Sequence, residues 1–123
     1  MKLSTNFSIS EFQSKDGSET PPMVILNLRK LAKNIQVLRD YIGKPIKINS
    51  GYRSPQHNAK IGGAKNSQHL TGKAVDIRVD GMTPKQLFDI IETLQNKGKM
   101  DIGGLKAYNS FVHYDIRGHF ARW

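Results

Sequence analysis

The stretch NSQHLTGKAVDIRV, Asn66–Val79, joins a polar loop to a strand pattern. It begins as a polar, glycine-containing loop that carries His69. It ends in AVDIRV, where aliphatic residues occupy every second position. That period is typical of a strand with one buried face, so Asp76 points away from the core. These residues alone leave two interpretations open. His69 and Asp76 are two ligands of one metal ion, or an ordinary loop leads into an ordinary strand.

The same alternation recurs in FVHYDI, Phe111–Ile116, near the end of the chain. Its aliphatic and tyrosine positions share one face, and Phe111, His113 and Asp115 share the other. If helices cover the aliphatic faces of both strands, Asp76 and His113 project from the same side of one sheet. This inference rests on the two-residue period alone.

The remaining elements indicate an α+β fold. Apolar residues recur every three or four positions from Pro22 to about Tyr41 and again from Thr83 to Gly98, which predicts two amphipathic helices. Further strands are predicted in PIKINS and GGLKAY, a helical turn near Pro55–Ile61, and a helix start in NFSISEF. We expect a single domain, residues 1–123, with a small antiparallel sheet, helices packed on one face and the site on the other.

The net charge of the chain indicates which class of binding partner to expect. The chain has 19 basic and 10 acidic residues, a formal net charge of +9 and no cysteine. This charge favours an anionic partner such as the bacterial cell wall, and no motif indicates nucleic-acid binding. No apolar run is long enough for a membrane span, and the N-terminus lacks the apolar core of a signal peptide. We therefore expect synthesis in the cytoplasm and action elsewhere.

A metal site in a chain without cysteine has to use histidine and carboxylate ligands. Catalytic zinc sites commonly use three protein ligands and leave one position open. His69, Asp76 and His113 would make such a set. The other two histidines, His57 and His119, lie in polar stretches and are interpreted as surface residues.

The segments SGYRSPQHN, GGAKNSQHLTGKAVDI and FVHYDIRG together resemble the zinc peptidases of the D-Ala-D-Ala carboxypeptidase and phage endolysin group, the peptidase M15-like enzymes. The resemblance covers roughly residues 46–118 and implies a Hedgehog/D-Ala-D-Ala peptidase-like fold. It implies that His69, Asp76 and His113 bind zinc, and that metal-activated water attacks a peptide carbonyl of peptidoglycan. Arg53 would bind substrate and stabilise the oxyanion, and Ser67 would bind substrate. The alternatives are a surface salt bridge for Arg53 and a loop cap for Ser67.

The chain departs from this family pattern at the general base. Members commonly carry Glu or Asp three residues before the last zinc histidine, or a histidine two residues before it. Ser110 and Phe111 stand at those positions. Asp115 is the best remaining candidate, because it shares a strand face with His113. Asp115 could act as the general base, or it could hydrogen-bond a ligand histidine and fix its orientation. A third alternative is that the chain binds zinc but has weak or no turnover.

Three functions therefore stay open. The first is a zinc metallopeptidase of peptidoglycan stem peptides, a carboxypeptidase or endopeptidase, that reaches the wall as phage or prophage lysins do. The second is a catalytically weak or inactive zinc-holding domain that binds wall peptide or a protein partner. The third is a basic nucleic-acid binder, for which the sequence offers no recognition motif.

Overall fold

A computed structural model describes all 123 residues. Its helices and strands, in chain order, are β1 (Lys2–Ser4), β2 (Phe7–Ser8), α1 (Pro22–Ile42), β3 (Lys47–Ser50), α2 (Pro55–Lys60), β4 (Ala74–Arg78), α3 (Pro84–Asn96), β5 (Leu105–Ala107) and β6 (Val112–Asp115). Two single 3₁₀ turns, Ile9–Glu11 and Gln68–Thr71, complete the list. The α+β class predicted from the sequence is confirmed.

The main sheet has the strand order β3-β4-β6-β5, and all its pairs are antiparallel. The two alternating strands, β4 and β6, are therefore central neighbours. Their register places Asp76 directly opposite His113. Directly opposed residues in an antiparallel pair project to the same face, so the register itself brings these two side chains together.

The apolar face of the sheet packs against the two long helices. Val75, Ile77, Val112 and Tyr114 join a core cluster with the buried stripes of α1 and α3. Helix α1 ends at Gly43, whose φ of 73° is the left-handed conformation that glycine adopts freely. Helix α3 begins at Thr83, which forms a capping box with Gln86. None of the helices combines the length and the apolar character that a membrane crossing requires.

The N-terminal segment corrects one prediction. NFSISEF does not begin a helix: Phe7 and Ser8 pair with β1, and only the turn Ile9–Glu11 follows. Ser8 and Glu11 still form a capping box at the start of this turn, and the ring centroids of Phe7 and Phe12 lie 6.2 Å apart. The residues before the turn pair with β1, and Phe12 forms the last hydrogen bond of the turn, from its N–H to the Ile9 carbonyl, so only a single turn forms.

Phe12 then supports the strand that leads into the site. The backbone N–H of Tyr52 donates to the Phe12 carbonyl at 2.7 Å. A Cβ on Gly51 would lie 2.7 Å from the Phe12 Cα, so only glycine permits this close approach. The N-terminal segment thereby fixes the backbone at Gly51–Ser54, which carries two groups of the site described below.

Candidate metal centre

Three buried side chains converge on the face of the sheet opposite the core cluster. Oδ1 of Asp76 lies 3.2 Å from Nε2 of His69 and 3.3 Å from Nδ1 of His113. The potential ligand atoms of the three residues all lie within 4.8 Å of one another. His57 is half-buried on α2, His119 is exposed, and neither joins the cluster. The three residues singled out in the sequence are thus brought together by two strands and one loop.

Each histidine is oriented by the nitrogen that faces away from Asp76. Nδ1 of His69 lies 2.7 Å from the carbonyl oxygen of Gly51. Nε2 of His113 lies 2.8 Å from Oδ2 of Asp115. A carbonyl or carboxylate oxygen only accepts, so both of these nitrogens carry the proton. Nε2 of His69 and Nδ1 of His113 are therefore the nitrogens that would face a metal bound here, an arrangement typical of metal-binding histidines.

The spacing of the donors fits zinc. Zinc binds histidine nitrogen and carboxylate oxygen at about 2.0–2.2 Å in tetrahedral geometry, which separates neighbouring ligand atoms by roughly 3.3 Å. The two distances from Asp76 match that separation. Two imidazoles and one carboxylate also leave a tetrahedral site with one open position, as in catalytic zinc centres.

The electrostatics of the cluster agree with a cation site. Burial acts to raise the pKa of Asp76, but hydrogen bonds from His113 and His69 outweigh it and hold that pKa well below its usual range. Burial acts to lower the pKa of His113, but hydrogen bonds with Asp115 and Asp76 raise it. The surroundings therefore favour an anionic Asp76 and positive charge beside it, which a bound cation would supply in place of a proton.

Asp115 is fully buried behind His113. Besides His113, its carboxylate accepts hydrogen bonds from the Gly104 backbone N–H at 2.7 Å and from Nε and Nη2 of Arg117, the latter at 2.7 Å. Burial acts to raise the pKa of Asp115, but the hydrogen bonds from His113 and Arg117 hold it well below its usual range. A carboxylate with both oxygens engaged and little affinity for a proton is suited to fixing His113. Of the two roles left open by the sequence, the geometry favours this one.

Gly103 and Gly104 make room for that buried carboxylate, a role that was not predicted from the sequence. A Cβ on Gly104 would lie 2.3 Å from Oδ2 of Asp115, and one on Gly103 would lie 1.8 Å from the Asp115 carbonyl oxygen. Neither position tolerates a side chain without displacing Asp115. The signal available in the sequence was the Gly-Gly pair directly before a strand, which indicates close backbone approach.

Arg53 borders the cluster on the side of Asp76. Its Nη2 lies 3.3 Å from Oδ2 of Asp76, and its Nε and Nη1 lie 3.3 and 3.4 Å from Ser50 and Asn58. All three contacts are long for hydrogen bonds to nitrogen. Arg53 thus forms an ion pair, as one alternative held, but the pair is part of the site and not of the outer surface.

Ser67 caps a turn, which is one of the two roles weighed for it; its binding of substrate stays a prediction. Its hydroxyl accepts a hydrogen bond from the backbone N–H of His69 and caps the turn Gln68–Thr71, while the residue also lines the cleft. That turn was not predicted. It ends at Gly72 in the left-handed conformation and leads His69 back toward β4.

The cluster lies at the base of a cleft of about 730 Å³. One wall is the loop from Ile61 to Gln68. The opposite wall is aromatic and cationic, and its residues are Tyr108, Phe111, Arg117 and Trp123. None of the four was identified as a site residue from the sequence. Arg117 and Trp123 follow the last strand in a segment without a readable period. Ser110 lies outside this lining, and Phe111 stacks on Tyr108 with ring centroids 4.7 Å apart.

Comparisons with known proteins agree with this geometry. The sequence model of the Peptidase M15 family matches residues 4–115. A zinc D-Ala-D-Ala carboxypeptidase of Streptomyces albus G is 33% identical over 82 residues, which are 64% of this chain and 31% of that protein. A probable peptidoglycan L,D-endopeptidase, MepK, of Haemophilus influenzae is 34% identical over 94 residues, which are 72% of this chain and 48% of that protein. The aligned residues thus span about a third and about half of these relatives.

Proposed function

The chain belongs to the peptidase M15 family, and we propose that it is a zinc-dependent peptidase that hydrolyses peptide bonds in the stem peptides of peptidoglycan. The observation that carries the proposal is the cluster of His69, Asp76 and His113 at the base of an open cleft, with Arg53 beside it. The relatives named above, a carboxypeptidase and an endopeptidase of peptidoglycan, support the substrate class.

Zinc is the metal we assign to the three ligands. Bound there, it would supply Lewis-acid chemistry, polarising a carbonyl oxygen and making water nucleophilic at neutral pH. The protein's contribution is to hold the ligands ready. Gly51 and Asp115 fix the two imidazole rings, and Arg53 lies beside the carboxylate of Asp76 in a longer contact. Little reorganisation is then needed when metal and substrate bind.

Arg53 is the group we assign to the substrate carbonyl oxygen. Its guanidinium carries a permanent charge, lines the cleft and lies next to Asp76. Because its present contacts are long, the guanidinium can exchange one of them for a substrate oxygen without losing a strong bond. It would stabilise negative charge that develops on that oxygen. Ser67, whose hydroxyl is at the rim of the same cleft, would accept or donate a hydrogen bond to the peptide backbone.

Asp115 acts, in this proposal, as a positioning residue for His113. Its carboxylate does not line the cleft, and Asp76 is the one carboxylate that does. Ser110 and Phe111 offer no basic group at the positions where related enzymes carry one. The second candidate function follows from that observation: a zinc-holding domain that binds wall peptide, with slow or no turnover.

The net charge of +9 supports action at an anionic surface such as the cell wall. Attraction of this kind weakens as salt is added, so binding to purified walls should fall as ionic strength rises. The class of protein we propose is a lytic enzyme of phage or prophage type.

Digestion of purified muropeptides by the zinc-loaded protein, followed by mass spectrometry, tests the proposal. Loss of terminal D-Ala identifies a carboxypeptidase, and cleavage within the stem identifies an endopeptidase. His69→Ala removes a proposed ligand and should abolish cleavage. Its matched control is His119→Ala, which removes an exposed histidine outside the cluster. If the protein binds muropeptides but does not cleave them, only the second candidate function remains. If it shows no binding and no cleavage, both candidate functions are refuted.

A further inference from the structure

Arg117 has one donor group to spare beside the metal cluster. Its Nε and Nη2 bind the buried carboxylate of Asp115 at 2.7–3.1 Å. Its Nη1 has no hydrogen-bond partner in the protein, while the residue lines the cleft and its side chain is 23% exposed. The ion pair with Asp115 therefore anchors the guanidinium and leaves one edge directed to the cleft side.

Trp123 holds this guanidinium from a second direction. The Arg117 guanidinium carbon lies 5.3 Å from the centre of the Trp123 ring, within the range of a cation–π contact. The same ring packs edge-on against His113 at 5.1 Å, and its N–H donates to the hydroxyl of Tyr108. Only the Trp123 ring separates Arg117 from His113, a proposed metal ligand. A substrate residue next to the bond that is cleaved would therefore lie near Arg117.

The charges around the cleft favour an anion at this position. Arg53 and Arg117 line the cleft, Asp76 is its one carboxylate, and Asp115 is buried behind it. With a divalent cation bound, the positive charges outnumber the negative ones. A carbonyl oxygen of a neutral peptide could also accept from the spare donor of Arg117, but a carboxylate would form the stronger hydrogen bond, in which both partners are charged.

We infer that Arg117 is a specificity-determining residue that binds a free carboxylate of the substrate peptide through Nη1, close to the bond that is cleaved. The inference rests on the proposed function and names the substrate class of that site: peptides with a carboxylate within about one residue of the scissile bond. Two sources of that carboxylate are chemically equivalent here, the C-terminus of the peptide and an acidic group of a stem residue.

Three synthetic stem peptides ending in D-Ala-D-Ala distinguish the sources. One carries all its carboxylates, one is amidated at the C-terminus, and one is amidated at the acidic groups within the stem. For the zinc-loaded protein we expect one of the two amides to lose roughly 10- to 100-fold in kcat/KM, the usual value of a hydrogen bond to a charged group. The amide that loses activity identifies the source.

Arg117→Gln assigns the preference to this residue. Glutamine removes the charge and the paired N–H donors of the guanidinium, so kcat/KM for the peptide with free carboxylates should approach that for the amidated peptide. Arg117→Lys keeps the charge and should retain part of the preference for the free carboxylate. The matched control is Arg78→Gln, which makes the same charge change at an exposed strand position outside the cleft. Zinc content and Tm of each variant show whether it is folded and loaded.

The inference and the proposed function fail in different ways. Equal cleavage of all three peptides by the wild-type protein would overturn the role of Arg117 and leave the peptidase intact. If the protein cleaves none of them, the proposed turnover fails, and titration calorimetry of the zinc-loaded protein then decides about Arg117. Tighter binding of the acid than of one amide supports the inference, and equal or absent binding overturns it.

Discussion

Oδ2 of Asp115 lies 2.8 Å from Nε2 of His113, the ring nitrogen opposite the one that faces Asp76. This places a buried carboxylate behind a potential metal ligand, and Arg117 balances its charge from the other side. The contact fixes both the tautomer and the orientation of the imidazole. The site is therefore organised in layers, with His113 in front and Asp115 and Arg117 behind it.

Metal binding should stabilise the folded chain. We expect about one zinc per chain, and with free zinc at 100 times Kd a gain of about 2.7 kcal/mol, or roughly 10 °C in Tm. His113→Ala should abolish the shift because it removes a ligand, whereas His57→Ala should keep it. Thermal melts with zinc and with a chelator measure the effect, and identical melts under both conditions would contradict a metal site.

Asp115→Asn should weaken metal binding more than turnover. Loss of the charge leaves Arg117 without its buried partner, so we expect a loss of roughly 3 kcal/mol in the free energy of unfolding and a 10- to 100-fold rise in the Kd for zinc, the order typical of partners behind a metal ligand. Zinc titrations and peptide kinetics separate the roles. A variant with normal zinc affinity but no turnover at full occupancy would show that Asp115 is the base after all.

Gly104→Ala should disturb the site through Asp115. The new Cβ would overlap Oδ2 of Asp115 and approach Nη2 of Arg117 within 2.8 Å, so we expect a cost of roughly 1–3 kcal/mol and weaker zinc binding. Gly98→Ala is the control, because its φ of 71° makes alanine strained while nothing lies within 4 Å. Both variants should melt earlier, and only Gly104→Ala should change the Kd for zinc.

Arg53→Lys should impair turnover even though the charge is kept. Lysine cannot contact Ser50, Asn58 and Asp76 at once and presents no planar fork to a substrate oxygen. We expect kcat to fall by roughly 10²- to 10³-fold, as for other groups that stabilise an oxyanion. Steady-state kinetics at saturating zinc measure it. A change in KM alone would assign Arg53 to substrate binding and not to the reacting oxygen.

The hydrogen bond between Ser54 and Asp16, next to the segment that carries Arg53, should stabilise the fold in a pH-dependent way. A hydrogen bond from the Ser54 hydroxyl at 2.6 Å, with further ones from Ser14 and Ser18, holds the pKa of Asp16 well below its usual range. A lowered folded-state pKa stabilises the fold above the unfolded value of about 3.9, and the contribution is lost as pH falls below it. Asp16→Asn should therefore lower Tm more at pH 7 than at pH 2.

A double-mutant cycle with Ser54→Ala isolates this pair. The two changes should be less than additive at pH 7, because either one removes the same hydrogen bond. At low pH they should approach additivity. Equal coupling at both pH values would show that the Asp16 charge does not contribute.

The local patterns of the chain predicted its main helices and strands and put Asp76 and His113 on the same side of the sheet. That these two residues and His69 bind a metal was implied by the family resemblance and stays a prediction. In AVDIRV and FVHYDI, every second side chain is aliphatic or tyrosine and faces the core, so Asp76 and His113 point to the other face of the sheet. This alternation follows from strand geometry alone. The helix bounds followed from the three-to-four residue period, from Thr83 and Pro84 at one start and from Gly43 at one end. The amino acid sequence also excluded thiolate ligands, and its family resemblance agreed with the M15 match.

How these residues face each other depends on contacts between distant parts of the chain. Strand pairing set Asp76 opposite His113, a buried glycine pair let Asp115 pack behind the ring, and the aromatic wall fixed Arg117. These contacts join residues distant in the chain, and no short-range period encodes them. The sequence by itself determined which side chains are available for a metal and to which face they point. The packing of strands and loops determined which nitrogen of each histidine faces the site, because that depends on the acceptor behind the ring.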